Sequence, residues 1–459
     1  MGGFSAVLGN PPFLGGQKLT GTYGNQFRDF IVQTIANDTK GSADLCSYFF
    51  LVCFESIRND GRAGLVATNT IAQGATREIG LAQIISKGGV ISAALVDVPW
   101  SGDAAVMVNL VTIKNGMHKN NAILNGINVE AINEYLRLPG DVIGDPYRLQ
   151  NNSQLAFQGS TVVGDGFVLE NNLAADFIQS DFKNGDVVFR YITGKDVNSH
   201  PQSLASRHII NFFDWPKDKA KEYTDPWDLI ENKVKPFRQR KPPKNSTAKG
   251  RFEKYWIYGS TAKRLYELIK NVDYVLLMAR VSKTVKPVRV DANQVFSDAC
   301  VVFRKSDDFF LGTLTSDLHY VWVAKYASSM KGDTRYTPKD VFETFPMPDH
   351  SQSVEQACLE LNDFRTNFMN KNNEGLTKTY NRVHNPEDID PGIEQLRRLH
   401  TVLDLTVRDA YGWQEIELGH GFHDTKQGTR WTISPEAQRQ VLDRLLALNH
   451  ERYRLENGG

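Results

Sequence analysis

Residues 10–13 read Asn-Pro-Pro-Phe, and these types in this order suit one kind of chemistry. Two consecutive prolines fix φ and remove backbone donors, which leaves a rigid loop with carbonyls turned outward. The adjacent amide of Asn10 and a proline carbonyl can together accept both hydrogens of an exocyclic amino group. Phe13 offers a flat face against which a planar ring stacks. Asn10, Pro11, Pro12 and Phe13 would thus grip an aminated base turned out of its helix. A proline turn leaving a strand is the plainer account of the same four residues.

Such a loop must be held by regular elements. Phe4 to Gly9 is a short apolar run that predicts one buried strand. Phe27, Phe30, Ile31, Thr34 and Ile35 recur at helical spacing, and Leu45, Tyr48, Phe49, Val52, Cys53 and Ile57 repeat it. Asn59-Asp60-Gly61 ends that helix, and Gly64 to Thr68 predicts the next strand. Ile79, Ala82 and Ile85 suggest a further helix. Val90–Val96 and Ala104–Ile113 are β-rich runs joined around Pro99-Trp100-Ser101-Gly102. So short a connection joins only antiparallel strands. The expectation is β-α-β-α-β-β, with Asn10–Phe13 at the carboxyl end of the first strand, where open α/β sheets bind ligands.

The 459 residues carry 53 Lys plus Arg against 53 Asp plus Glu, a formal net charge of zero. That balance hides a cationic stretch formed by Lys233, Lys235, Arg238, Arg240, Lys241, Lys244, Lys249, Arg251 and Lys254, against Glu253 alone. It ends in Phe252-Glu253-Lys254-Tyr255-Trp256, which interleaves aromatics with cations, and predicts contacts to a polyanion. Arg280-Val281-Ser282-Lys283 is a second candidate. Ordinary globular composition excludes disordered and collagenous classes. No apolar run is long enough to span a membrane, and from Met1 to Asn10 no positive charge precedes an apolar stretch as in a secretory leader. Cys46, Cys53, Cys300 and Cys358 have no CxxC spacing, which fits core packing in a reduced, cytoplasmic protein. His384, His400, His420 and His423 form no metal-ligand pattern.

Gly9 to Phe13 resembles the catalytic motif of S-adenosylmethionine (AdoMet)-dependent N6-adenine DNA methyltransferases of the γ arrangement. Ala43-Asp44-Leu45, Gly61 to Asn69 and the Val90–Ile113 pair are similar to the segments that follow it. Leu155 to Ser160, Tyr336-Thr337-Pro338 and Phe345-Pro346-Met347-Pro348 resemble a target-recognition domain. Leu396 to His400, Ala410 to Trp413 and Leu445 to Asn449 resemble a helical C-terminal domain. The order of these motifs is that of the type IIL/IIG single-chain restriction–modification (MmeI-like) family. The implied fold class is α/β: a partial Rossmann-like methyltransferase sheet over 1–116, a mixed α+β target-recognition domain over 117–349, and an α-helical domain over 350–459.

The resemblance implies roles. Asn10, Pro11, Pro12 and Phe13 would be catalytic. Lys233, Lys235, Arg238, Arg240, Lys241, Lys244 and Trp256 would contact double-stranded DNA. AdoMet would be the methyl donor, and no metal is needed. In the family the AdoMet glycine loop precedes the catalytic motif, and here that motif begins at residue 10. The expectation is therefore that the cofactor-binding loop lies upstream of Met1. The chain would then be a four-stranded part of a larger sheet, with an incomplete AdoMet cleft and no nuclease. Activity would need a second chain or a missing N-terminal segment to supply the loop. Two readings follow: the catalytic and specificity portion of an adenine-specific methyltransferase of a restriction–modification or related phage-defence system, or a non-catalytic DNA-binding specificity subunit or remnant.

Overall fold

In the computed structural model the described residues are 2–100, 107–116, 121–138, 144–243, 245–330, 333–425 and 427–458. Met1, Ser101, Gly102, Ala104 and Lys244, singled out above, lie outside them. The chain divides into two compact units, 1–143 and 144–459.

In the first unit, β1 (Phe4–Gly9) leads through the Asn-Pro-Pro-Phe loop into α1 (Gly16–Thr34) and α2 (Leu45–Ser56). Next come β2 (Ile57–Thr68), a run of short helical turns from Gly74 to Ser86, β3 (Gly89–Pro99) and β4 (Met107–Asn115). β5 (Ala122–Leu124) and β6 (Ile127–Val129) follow. The sheet has six strands in the order β1-β2-β4-β3-β5-β6. β1 runs parallel to β2, with Gly9 opposite Leu65. β4 is antiparallel to both β2 and β3, as the short β3–β4 connection demands. Two elements depart from the expectation: β2 begins at Ile57, with Asp60 at φ 63° as a kink within it rather than a turn before it, and β5 and β6 extend the sheet beyond residue 116.

The hydrophobic core of this unit lies on one face of the sheet. Tyr48, Phe50, Leu51 and Phe54 of α2 pack with Ala63, Leu65 and Ala67 of β2 and Val111 and Ile113 of β4. On the opposite face Leu8, Leu95, Leu110 and Ile123 are exposed. β1 stands at one end of the strand order, and its Phe4 and Leu8 are 65% and 86% exposed.

The second unit is mixed. β7 (Ala156–Gln158), β8 (Val168–Leu169), β9 (Val188–Ile192), β10 (Arg207–Ile210), β11 (Tyr274–Ala279), β12 (Val281–Ser282), β13 (Val288–Asp291), β14 (Val295–Phe296) and β15 (Cys300–Phe303) build most of its sheets. One sheet runs β14-β9-β10-β8 and another β13-β11-β15-β7. A glycine sits where the two meet. A Cβ on Gly159 would lie 2.3 Å from the Ser297 oxygen and 2.4 Å from the Phe296 oxygen. Only a residue without a side chain lets the backbone pass there.

Long helices at Gln352–Asn372, Pro391–Ala410 and Pro435–Glu456 complete the unit. Ser434 caps the last of them, accepting from the Ala437 N–H at 3.1 Å, as its Ser-Pro start predicts. Thr337 makes no such cap; its hydroxyl meets the Asp340 carboxylate at 3.1 Å, and Pro338–Phe342 is a single π-turn. The last helix also fastens the start of the unit. Asn449 exchanges two hydrogen bonds with the backbone of Tyr147, at 2.9 and 2.8 Å, and the Tyr147 and Tyr453 rings stack at 4.2 Å.

Candidate active site and nucleic-acid interface

The Asn-Pro-Pro-Phe loop leaves the carboxyl end of β1. The parallel neighbour β2 ends beside it at Thr68, followed by Asn69 and Thr70. Pro11 is buried, while Asn10, Pro12 and Phe13 are exposed, Phe13 by 37%. The Phe13 ring is thus partly open to solvent, and the buried first proline ties the loop to the fold.

The far side of the loop is held as firmly. Asp44 accepts at one carboxylate oxygen from the Leu14 N–H at 3.2 Å and from the Cys46 N–H at 3.1 Å. The Leu45 N–H donates to the Leu14 carbonyl at 2.9 Å. A Cβ on Gly16 would fall 2.3 Å from the Ser42 carbonyl carbon, so the start of α1 lies directly against residues 42–43.

The chemistry of this rim suits a sulfonium donor. Residues 9–16 and 68–70 contain no lysine or arginine to repel a positive charge. Its polar side chains are the amides of Asn10 and Asn69 and the hydroxyls of Thr68 and Thr70, the two hydroxyls 2.6 Å apart. Among the described residues no cluster of three or more His, Cys, Asp or Glu could hold a metal ion.

In the second unit the cationic stretch breaks into parts. Lys233, Arg240 and Lys241 are exposed. Lys235 is half-buried, paired with Glu231 and positioned over the Tyr255 ring. Arg238 is only 9% exposed; its guanidinium donates to the carbonyls of Val163 at 2.9 Å, Tyr255 at 3.1 Å and Ile257. Trp256 is 8% exposed, in an aromatic core with Trp227 and Tyr255, and its indole N–H donates to Trp215. Arg238 and Trp256 are therefore internal, which corrects their reading as surface DNA contacts. The reason is helical: Ile230, Val234 and Arg238 recur every fourth residue and share the buried face.

Of the second candidate, Arg280-Val281-Ser282-Lys283, only Arg280 and Val281 line a groove. This open groove of about 630 Å³ is lined by Lys195, Asn198, Arg280, Asp298, Arg335 and Thr377, among others. Arg280 donates to the Asp298 carbonyl at 3.3 Å, and its Nε is buried without a partner. Three cations from separate parts of the chain meet here, a grouping invisible along the sequence.

Three of the four histidines singled out in the sequence make side-chain hydrogen bonds inside the fold. His400 meets the Tyr380 hydroxyl at 2.8 Å, His420 the Asp404 carboxylate at 2.9 Å and His384 the Arg430 guanidinium at 2.6 Å.

Residues 5–125 match the family described as MmeI, DNA-methyltransferase domain, and residues 146–349 match MmeI, target recognition domain. DNA methyltransferase A of Bacillus subtilis (strain 168) is 21% identical over 432 residues, covering 90% of this chain and 46% of that protein. The type IIL restriction–modification enzyme MmeI, solved in complex with DNA, shares the fold with a TM-score of 0.66 at 20% identity, over 98% of this chain and 57% of that one. The chain thus spans about half the length of these two relatives. It is a DNA-methyltransferase domain followed by a target-recognition domain. The two matches follow one another in the order methyltransferase domain, then target recognition domain, and both are domains of MmeI.

This overturns a linked set of expectations. The methyltransferase domain lies within this chain from residue 5, so the chain is not a remnant lacking its AdoMet domain. The incomplete AdoMet cleft and the activity dependent on a supplied half both fall with it. So does the placing of the donor loop upstream of Met1, on a second chain or a missing segment. Those expectations rested on four strands and a local glycine signature, whereas the sheet has six strands.

Proposed function

We propose that this chain transfers a methyl group from AdoMet to the exocyclic N6 amino group of an adenine in double-stranded DNA, at a sequence read by the second unit. The observation that carries this reading is the Asn-Pro-Pro-Phe loop at the carboxyl end of β1, with its amide and ring exposed beside the end of β2. The Asn10 side-chain oxygen and the Pro11 carbonyl accept the two N–H bonds of the amino group and hold its lone pair out of the ring plane. Phe13 stacks on the flipped base. AdoMet, when bound, supplies an electrophilic methyl on a sulfonium. With that donor bound, Asn10 and Pro11 would present the amino nitrogen to the methyl, whose transfer would break the S–C bond, form the N–C bond and leave one proton to be released to solvent. Positioning supplies most of the rate in a transfer of this kind.

Lys233, Arg240 and Lys241 are suited to phosphate contacts, and the groove of Lys195, Arg280 and Arg335 to a second set or to base edges. Lys235, paired with Glu231, and Lys244, outside the described residues, stay in this reading as further contacts to be tested. A restriction–modification or related phage-defence setting, and a cytoplasmic location beside the DNA, accompany the proposal. No helix among the described residues is long and apolar enough to cross a membrane.

The test is tritiated methyl transfer to a pool of adenine-containing duplexes. Asn10→Ala is expected to lower the rate by more than about 100-fold with duplex affinity unchanged. A wild-type chain that binds duplex DNA but transfers nothing, with binding indifferent to Asn10→Ala, would leave the non-catalytic specificity reading instead.

A further inference from the structure

We infer that Asp44 is a positioning residue that fixes the base-gripping loop through the Leu14 amide. The inference rests on the function proposed above. Pro11 and Pro12 have no N–H, so the loop has few backbone donors by which the fold can hold it. Leu14 directly follows Phe13, and both of its backbone groups are taken by the start of α2. Its N–H goes to the Asp44 carboxylate at 3.2 Å, and its carbonyl accepts from the Leu45 N–H at 2.9 Å. The carboxylate is itself fixed. Asp44 is 8% exposed, its own N–H donates to the Thr76 hydroxyl at 3.0 Å, and its carbonyl accepts from the Ser47 hydroxyl at 2.8 Å.

The loop is therefore strung between two anchors. One is the β1–β2 register ending at Gly9 opposite Leu65. The other is this carboxylate on α2. Because the same oxygen also caps α2 through the Cys46 N–H, the loop is tied to a helix that packs into the core rather than to another loop. A shift of about 1 Å in Asn10 or Phe13 costs on the order of 100-fold in a positioned transfer.

Two variants separate positioning from helix capping. Asp44→Asn keeps a side-chain oxygen of the same reach and is a good cap. Asp44→Ser is also a good cap, but its shorter side chain cannot reach Leu14. Single-turnover methyl transfer, duplex affinity, the melting curve and amide hydrogen exchange over residues 13–16 are measured for the full chain. Asp44→Asn is expected within about 3-fold of wild type in rate. Asp44→Ser is expected to melt like wild type and bind duplex equally, to transfer about 100-fold more slowly, and to exchange faster at residues 13–16. Asp44→Ser with wild-type rate, or with unchanged exchange at Leu14, overturns the inference while leaving the proposed function standing. A wild-type chain that transfers nothing, yet whose Leu14 exchange is released by Asp44→Ser, overturns the proposed function and leaves Asp44 as the anchor of the loop. Should Asp44→Ser unfold, Asp44→Asn decides: a rate loss above about 30-fold with intact exchange protection sinks the assignment.

Discussion

Arg238 directs its guanidinium at three backbone carbonyls inside the core, whereas Arg240, two residues on, is exposed. Removing the first leaves buried acceptors without donors; removing the second changes only surface charge. Arg238→Ala is expected to destabilise the second unit by roughly 2–4 kcal/mol, read as a lowered urea midpoint. Arg240→Ala is expected to leave that midpoint in place and to make the salt dependence of duplex binding shallower by about 0.9 in log–log slope. A run of cations in a sequence cannot separate these cases, since charge alone does not say which helix face is buried. The fourfold spacing of Ile230, Val234 and Arg238 was the readable signal. Asn10 to Phe13 were legible because their meaning is local: proline, amide and ring act within four residues. Asp44 acts across thirty residues of chain, and nothing in its own surroundings announced that.

Among the elements, periodicity found both long helices of the first unit and the β3–β4 pair; the apolar run of β1 did mark a strand, but one that is exposed along nearly its whole length rather than buried, because β1 stands at the end of the strand order. β5 and β6, of three residues each, are too short to show a pattern and exist by pairing. The glycine at 159 belongs to this scale. Gly159→Ala would drive a methyl into the Ser297 oxygen, so the β7 and β14 segments must separate. The expected cost is about 2–3 kcal/mol, with duplex binding weakened as the sheets part.

Packing of the helices also sets an acid limit. Burial lowers His319 and His384 to about 3 and His400 well below the ordinary imidazole value. The unfolded chain titrates these groups near 6.5, so stability is present above about pH 6.5 and is lost as pH falls toward their folded values. Burial opposes protonation of His420 too, but the hydrogen bond and charge of Asp404 raise it. Below about pH 6.5 it is protonated in both states and adds no slope. Three groups together give up to about 4 kcal/mol per pH unit. Thermal melts are expected to collapse between about pH 6 and 5, and His319→Gln to remove about a third of that slope.

For the whole molecule, the order of motifs along the sequence was legible, and with it the α/β, mixed and helical succession. The content of the methyltransferase domain was not, because only four of its six strands are long enough to be read as strands in the sequence. The second unit has its own sheets, its own aromatic core and its own helices. Residues 144–459 expressed alone are expected to melt in one cooperative step and to bind duplex with the salt dependence of the full chain; a non-cooperative melt would show that the unit needs its neighbour. The fastening of Tyr147 to Asn449 and Tyr453 has a practical corollary. Where a unit's first and last turns touch, its chain can be circularly permuted: a short linker joins the old ends, and new ones open in the exposed stretch near Lys241. It can equally be exchanged, at one point of attachment, for another unit whose ends meet in the same way.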